Sequence, residues 1–594
     1  MSQTTPMAHL RILASSDLHM HVMAFDYRND AKRPGTGLAS LAHLIEHARA
    51  ECPEALCLLL DNGDLLQGTE LADTVAYDPA ADPLAECLHH VGYDALGLGN
   101  HDFDYGMARL TRHIAALDLP VICSNFDVEG AQPHALLERR VRLSDGRSVP
   151  ISIGILSVLP QETVIWNAAH LEGSSAPRAP EAAVQEGIAA LRAKGADLVV
   201  LLAHTGLSES GNVGSENNAQ LLARVPGVDA LICGHTHLRL PGPDHAGFPD
   251  VDIVTGKIVG VPAVMPGYAG AFLGVIDLRL AQEDGSWRLC QAESELRPVH
   301  PDTPEVPLIK TAAQRAHNQT RAYLGEKVGT TPAAMHSYFS ALQPDAGQHL
   351  TAFAMIRQTR AALKETAHGR LPILAAVASG AAGGRAGPRN YLDLPAGPIL
   401  RRHIAMLAPY PNLVWALRLS GAELWHWLEH SAAYFQTFAP GVPQADLIDP
   451  RFPAFNFDAI FGLRCEIDVG FPIGERIRSV TWEGRPLEDS QPFIVATTSY
   501  RAAGGGGFPG AEPANIVLRS QTTVAQAIEA ELSAGPARRF DIEPWRITAD
   551  LNAQAVLATG PGALQYFPEI SNHAPEVLGS DAEGFLRLRV SLSP

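Results

Sequence analysis

Six apolar segments between Leu10 and Cys233 have the length and composition of buried strands: Leu10 to Ser16, Ala55 to Leu60, Tyr93 to Leu98, Ile151 to Val158, Asp197 to Ala203 and Val228 to Cys233. Five of them run directly into polar residues of metal-ligand type: Asp17-Leu18-His19, Asp61-Asn62-Gly63-Asp64, Gly99-Asn100-His101-Asp102, His204-Thr205-Gly206 and Gly234-His235-Thr236-His237. Helix-like stretches (Leu38 to Ala50, Pro83 to Val91, Pro180 to Lys194) lie between several of these strands, the pattern of a layered α/β domain. Sites in such folds collect at the carboxyl ends of strands, so five ends are expected to converge on one place.

At 594 residues the chain is too long for one ordinary core, and at least two domains are expected. The texture changes after Pro298. Pro301 to Pro307 is proline-rich, and Leu308 to Leu324 carries a helical pattern that ends at Gly325. We therefore expect a first domain over 1–300, a linker helix over 301–325 and a second α/β domain over 326–594. The second domain mixes helices (Leu350 to Thr366, Gly421 to Phe435) with strands (Ile373 to Ala378, Leu413 to Leu419, Pro492 to Thr498). The last 80 residues match no pattern.

Lys and Arg number 45 against 64 Asp and Glu, a net charge of −19, which argues against a grip on long nucleic acid. No apolar run approaches the roughly 18 to 20 residues of a membrane helix. Met1 to His9 carries no secretory pattern, so a soluble, cytoplasmic protein without a membrane partner is expected. The seven scattered cysteines are expected to be reduced thiols.

Divalent metals are held by carboxylate, imidazole and amide oxygen, and a pair of metals about 3.5 to 4 Å apart needs a bridging carboxylate. Asp17 and His19 are two apart, as are His235 and His237, and on an extended segment each pair would point the same way. Asp64, near Gly63 and Gly68, is the expected bridge, because glycines let a loop turn tightly around a metal.

The order Asp-x-His, Gly-Asp, Gly-Asn-His-Asp, a lone His, then Gly-His-Thr-His resembles the calcineurin-like metallophosphoesterases. The strings Asn62 to Gly68 and Gly99 to Gly106 narrow the resemblance to the 5′-nucleotidase and 2′,3′-cyclic-nucleotide phosphodiesterase family. Three more strings, Asp17 to Tyr27, Met335 to Tyr338 and Gly383 to Gly397, are similar to the branch that acts as 2′,3′-cyclic-nucleotide 2′-phosphodiesterase and 3′-nucleotidase. The resemblance implies a four-layer α/β/β/α catalytic domain, and a C-terminal α/β nucleotide-binding domain joined to it by the linker helix. It assigns Asp17, His19, Asp64 and His237 to one metal, and Asp64, Asn100, His204 and His235 to the other. His101 would act beside the phosphoryl group, with Asp104 holding its proton. His21 extends the first motif, and an outer role and a surface role are both open.

In the second domain the resemblance implies a base held between two aromatics, Phe455 and Tyr500, with Phe457 as the alternative to Phe455. Arg385 is a candidate for phosphate or ribose. The implied reaction is hydrolysis of nucleoside 2′,3′-cyclic phosphates to 3′-nucleotides, and of these to nucleoside and phosphate. It needs two divalent metals, manganese first, with zinc, cobalt and iron suited to the same donors. The substrate is a small nucleotide; oligomeric state is open. Family members are usually exported, which stands against the cytoplasmic expectation. Two other readings stay open. Asp104 is the residue of the 5′-nucleotidase branch, which keeps 5′-nucleotides or nucleotide sugars as substrates, and a nucleotide-binding scaffold without turnover is the alternative from another class.

Overall fold

The computed structural model describes residues 6–78, 80, 82–171, 173–210, 216–283, 285–438, 445–549 and 553–592. The chain forms two compact units, Met1–Tyr323 and Leu324–Pro594. The helix Pro307–Leu324, expected as a linker, runs to the end of the first unit.

Two sheets build the first unit. In one, the strands Met7–Ser15, Leu56–Asp61, Ala95–Gly97 and Val121–Ile122 run parallel, and the long hairpin Phe272–Glu283/Ser286–Pro298 closes the edge. In the other, Ser148–Val158, Leu198–Ala203, Ala230–Cys233 and Val261–Pro266 are parallel neighbours, with Ala135–Arg142 antiparallel at one edge. The Leu198–Ala203 strand explains the layering. Its alternate residues Leu198, Val200 and Leu202 enter a core shared with Leu10, Ile12, Leu58 and Leu60 of the other sheet. Val199, Leu201 and Ala203 enter a second core with Val184, Ile188 and Leu191 of the helix Pro180–Ala193. A strand buried on both faces reads as a continuous apolar run, which is how it stands in the sequence. Each such leucine contributes about 1.5 to 3 kcal/mol when fully buried. The helix Leu38–Glu51 lies against the first sheet and completes the four layers.

The second unit centres on a nine-stranded mixed sheet in which Ile373–Val377, Pro492–Thr498 and Leu413–Ser420 are neighbours. The helix Ala346–Leu363 packs on it and on the helix Val524–Ala534. The final stretch, unread in the sequence, adds Ile516–Thr523 and Trp545–Thr548 to this sheet, then builds a small sheet from Gln554–Thr559, Glu576–Ser580 and Leu586–Ser591. Its anchor is the Met335–Tyr338 string. Thr559 Oγ1 donates to the Tyr338 carbonyl at 2.7 Å, and Tyr566 stacks on His336 at 3.9 Å between centroids. Tyr338 and Tyr566 donate their hydroxyls to the two oxygens of Asp393, at 2.8 and 2.7 Å.

All seven cysteines are unpaired. Among the described residues no helix is long and apolar enough to cross a membrane.

Candidate functional site

The predicted motifs are the loops that leave the carboxyl ends of Met7–Ser15, Leu56–Asp61, Ala95–Gly97, Leu198–Ala203 and Ala230–Cys233. The two sheets meet there, where the His235 backbone N–H donates to the Asp17 carboxylate at 3.1 Å. The ligand motifs are not the extended segments that their spacing predicts. The strands stop at Ser15 and Cys233, and Asp17, His19, Asp64, His235 and His237 have φ of 52°, 47°, 59°, 70° and 61°. The pairs Asp17/His19 and His235/His237 are therefore set by left-handed turns, not by strand alternation. Such backbone costs on the order of 1 to 3 kcal/mol per residue and persists only where its surroundings over-determine it.

Those surroundings are visible. Asp102 accepts four backbone N–H groups: Asp64 and Gly99 on Oδ2, both at 2.9 Å, and Leu65 and Leu66 on Oδ1 at 2.8 and 3.0 Å. Burial, reinforced by Asp64, raises its pKa to about 6, which leaves it ionised at neutral pH. Gly99 is required by close approach, since a Cβ there would lie 2.2 Å from Asp64 Oδ1 and 2.5 Å from His204 Cε1. Gly234 is held the same way, 2.6 Å from Asp17 Oδ2.

The side chains present donors inward. His19 donates Nδ1–H to the Gln67 carbonyl at 2.7 Å, and His204 donates Nδ1–H to the Asn62 carbonyl at 2.8 Å. Each therefore turns the lone pair of Nε2 toward the carboxylates. Asp17, His19 and His237 bring ligand atoms within 4.8 Å of one another, and so do Asp17, Asp64 and His204. His235 Nδ1 lies 2.8 Å from Asn100 Oδ1. Asp64 Oδ2 stands between His204 Nε2 at 3.0 Å and His19 Nε2 at 3.7 Å.

This arrangement fits a pair of cations by the behaviour of its own atoms. Asp64 Oδ2 and His204 Nε2 are fully buried, face each other at 3.0 Å, and meet no hydrogen-bond partner beyond one another. His19 Nε2 and His237 Nε2 face each other at 2.9 Å, a hydrogen bond whose single proton occupies the place between two potential metal ligands. Burial opposes charge on His204, yet Asp64 and Asp17 outweigh it and raise its pKa to about 10, while burial pushes Asp17 up to about 7. A site that draws protons this strongly is one a divalent cation satisfies.

His101 lies beside these groups. Its backbone N–H donates to Asp64 Oδ1 at 2.7 Å, and Nδ1–H donates to Asp104 Oδ2 at 2.9 Å. Burial works against its charged form, but Asp104 and Asp64 hold its pKa at about 9, so the ring is an imidazolium at neutral pH. His21 points elsewhere: Nδ1–H donates to the Leu18 carbonyl at 3.1 Å, and Nε2 accepts from Arg33 at 3.2 Å.

In the second unit Phe455 is exposed, at 49%, in the turn Ala454–Asn456, and Tyr500 lies in the short helix Ser499–Ala502. Phe457 is excluded as the alternative, being buried and stacked on Tyr434 at 5.0 Å. The sequence reading missed Arg501, whose buried guanidinium ties these segments together. It donates to the Phe455 carbonyl at 2.8 Å, Asn456 Oδ1 at 3.0 Å, Gly505 carbonyl at 2.7 Å and Asp458 Oδ2 at 3.0 Å. The Gly384–Ala386 turn carries Arg385, whose side chain lies outside the described residues. Asp102 stands inside the Gly99 to Gly106 motif, but nothing in the sequence points to its role as a clamp on four N–H groups. Two aromatics stacked on His235 and His237, Trp166 and Tyr268, gave no sequence signal.

Two family models match the chain: calcineurin-like phosphoesterase over residues 10–239, and the 5′-nucleotidase C-terminal domain over residues 328–512. Among proteins of known name, the chain is similar to the 2′,3′-cyclic-nucleotide 2′-phosphodiesterase/3′-nucleotidase of Haemophilus influenzae, with 32% identity over 98% of this chain and 95% of that one. It is also similar to the trifunctional nucleotide phosphoesterase protein YfkN of Bacillus subtilis, with 33% identity over 85% of this chain; the chain spans only 36% of YfkN's length. A crystal structure of a putative 5′-nucleotidase from Staphylococcus aureus shares the fold, with a TM-score of 0.73 at 22% identity, covering 91% of this chain and 99% of that one.

Proposed function

We propose that this chain, which belongs to the 2′,3′-cyclic-nucleotide 2′-phosphodiesterase/3′-nucleotidase family of metal-dependent phosphoester hydrolases, opens nucleoside 2′,3′-cyclic phosphates to 3′-nucleotides and hydrolyses these to nucleoside and phosphate. The observation that carries the chemistry is the fully buried pair Asp64 Oδ2 and His204 Nε2, 3.0 Å apart and hydrogen-bonded to nothing else, with Asp17, His19 and His237 beside it. Asp17, His19, Asp64 and His237 would hold one divalent metal, and Asp64, Asn100, His204 and His235 the other. Bound there, the metals supply Lewis acidity toward phosphate oxygens and a more acidic water. Manganese is the metal we expect first, since the oxygen and nitrogen donors suit it as well as zinc, cobalt or iron.

The chain's own residues do the rest. The His101 imidazolium gives its Nε2 proton to the departing ester oxygen, and Asp104 keeps the ring charged and oriented through Nδ1. Phe455 and Tyr500 hold the base, and Arg501 fixes the loop that carries Phe455. Arg385 completes the proposed substrate contacts. A second reading, 5′-nucleotides or nucleotide sugars on the same centre, is favoured by one observation, the presence of Asp104 beside His101.

Phosphate and nucleoside released from 2′,3′-cyclic AMP, 3′-AMP and 5′-AMP, measured with added manganese and an Asp64→Ala control, tests this. Turnover of the first two that is lost in the variant is expected. Preference for 5′-AMP would replace the substrate assignment by the second reading, and metal-independent turnover would overturn the centre itself.

A further inference from the structure

Each half of the centre has its own aromatic support, and the two supports are built alike. Trp166 lies flat against His235, with centroids 5.4 Å apart and planes at 14°. The next residue, Asn167, is buried and donates its Nδ2 to the carbonyl of Asn100 at 2.9 Å, and Asn100 is the residue that meets His235 through Oδ1. On the other side Tyr268 lies flat against His237, with centroids 4.9 Å apart and planes at 12°. The next residue, Ala269, donates its backbone N–H to the carbonyl of Asp17 at 2.8 Å, and Asp17 shares a ligand cluster with His237.

In both cases one short segment does two things to one half of the centre. Its ring fixes the plane of a histidine, and its neighbour fixes the backbone of a second ligand residue. Both histidines stand in left-handed turns that their own backbone does not favour, so the orientation of each ring depends on what it packs against. Parallel stacks at these separations lie within the favourable range for aromatic pairs. The Tyr268 ring is anchored in turn, because its hydroxyl accepts from Arg33 Nη2 at 2.7 Å. The segment of Trp166 is anchored by Thr163, which is buried and donates Oγ1 to the Pro160 carbonyl at 2.7 Å.

We infer that Trp166 and Tyr268 are positioning residues that set the two metal affinities separately, Trp166 for the half built on Asn100 and His235, and Tyr268 for the half built on Asp17 and His237. The inference rests on the ligand assignment proposed above. Neither ring needs to touch substrate for this role. Groups that orient metal ligands from outside typically account for about 10- to 100-fold in affinity, which sets the expected size of the effect.

The test is manganese binding to the metal-stripped full chain by equilibrium dialysis, with the paramagnetic resonance of bound manganese read alongside. The wild type is expected to bind two ions, with the spectrum of a coupled pair. Trp166→Ala should weaken one binding step by about 10- to 100-fold and leave the other in place, so that the spectrum at low metal becomes that of an isolated ion. Tyr268→Ala should do the same to the other step. Trp166→Ala should add nothing to His235→Ala, but combined with His237→Ala it should weaken both steps. Trp166→Phe and Tyr268→Phe, which keep a flat ring, should recover most of the affinity. Equal loss at both steps, no loss at either, or no recovery with phenylalanine would overturn the inference, because a merely structural ring would lower the melting temperature of the metal-free protein without choosing between ions. A wild type that binds no manganese would instead sink the ligand assignment, and the inference with it.

Discussion

Replacing Asp102 by Asn probes how the metal-bearing loops are held. The carboxylate takes two N–H groups on each oxygen, from Asp64 and Gly99 on one side and Leu65 and Leu66 on the other. An asparagine keeps one oxygen and presents an NH2 group where the other stood, so whichever way it turns, two buried N–H groups lose their acceptor and face a donor. Each orphaned group costs about 1 to 3 kcal/mol, or about 2 to 6 kcal/mol for the pair, against a total stability of about 5 to 15 kcal/mol. The two remaining bonds also lose their charge assistance. At roughly 2 °C per kcal/mol for a unit of this size, the metal-free Asp102→Asn protein should melt about 4 to 12 °C below wild type by calorimetry. Since either released pair includes the loop at Asp64, through Asp64 itself or through Leu65 and Leu66, manganese affinity should fall as well. A variant that melts within a degree of wild type and binds manganese equally would refute the idea that this carboxylate clamps the loops.

Further outcomes are expected elsewhere. Asp104 favours the charged form of His101, so the basic limb of kcat/KM should report loss of that proton; Asp104→Asn removes the charge and should move the limb to lower pH, and an unmoved limb would exclude His101 as the acid. Phe455→Ala should raise KM for 3′-AMP by roughly 5- to 150-fold, from about 1 to 3 kcal/mol of lost stacking, and leave hydrolysis of bis(p-nitrophenyl) phosphate, which has no base, unchanged. Asp277 accepts Arg11 through both oxygens, at 2.9 and 2.8 Å, and His9 at 2.6 Å, contacts that outweigh burial and hold its pKa well below the carboxylate range. Its stabilisation is therefore present above the unfolded pKa of about 4 and lost as pH falls. Asp277→Asn should accordingly cost about 1.5 to 3 kcal/mol in urea unfolding at pH 7, with the gap to wild type closing in acid.

Much of the first unit could be read from residues alone. A strand buried on both faces has to be apolar throughout, as Leu198–Ala203 is, so its limits appear as limits of composition. The residues that follow such strands appear as abrupt polar motifs, which is why Asp17, His19, Asp64, Asn100, His204, His235 and His237 stand out in the sequence. Resemblance carried their sorting into two metals, because spacing along a chain does not encode distance across two sheets. In the second unit legibility fell. The Phe455 and Tyr500 segments stood out only by resemblance, and within the last stretch Glu576–Ser580 is exposed along its length and has no period to read.

What the sequence determined is which atoms could bind metal and roughly where the strands that present them end. Those are local properties, fixed by side-chain chemistry and by the apolar run that precedes each motif. Tertiary structure decided how the ligands are aimed. The left-handed turns at Asp17 and Asp64 are unfavourable in isolation and are held in place by the fold, Asp64 by the Asp102 carboxylate and both by the close approach that Gly99 and Gly234 permit. The same holds for Trp166, Tyr268 and Arg501, whose partners lie on other segments of their units: each looks like an ordinary aromatic or cation until folding brings those partners against it.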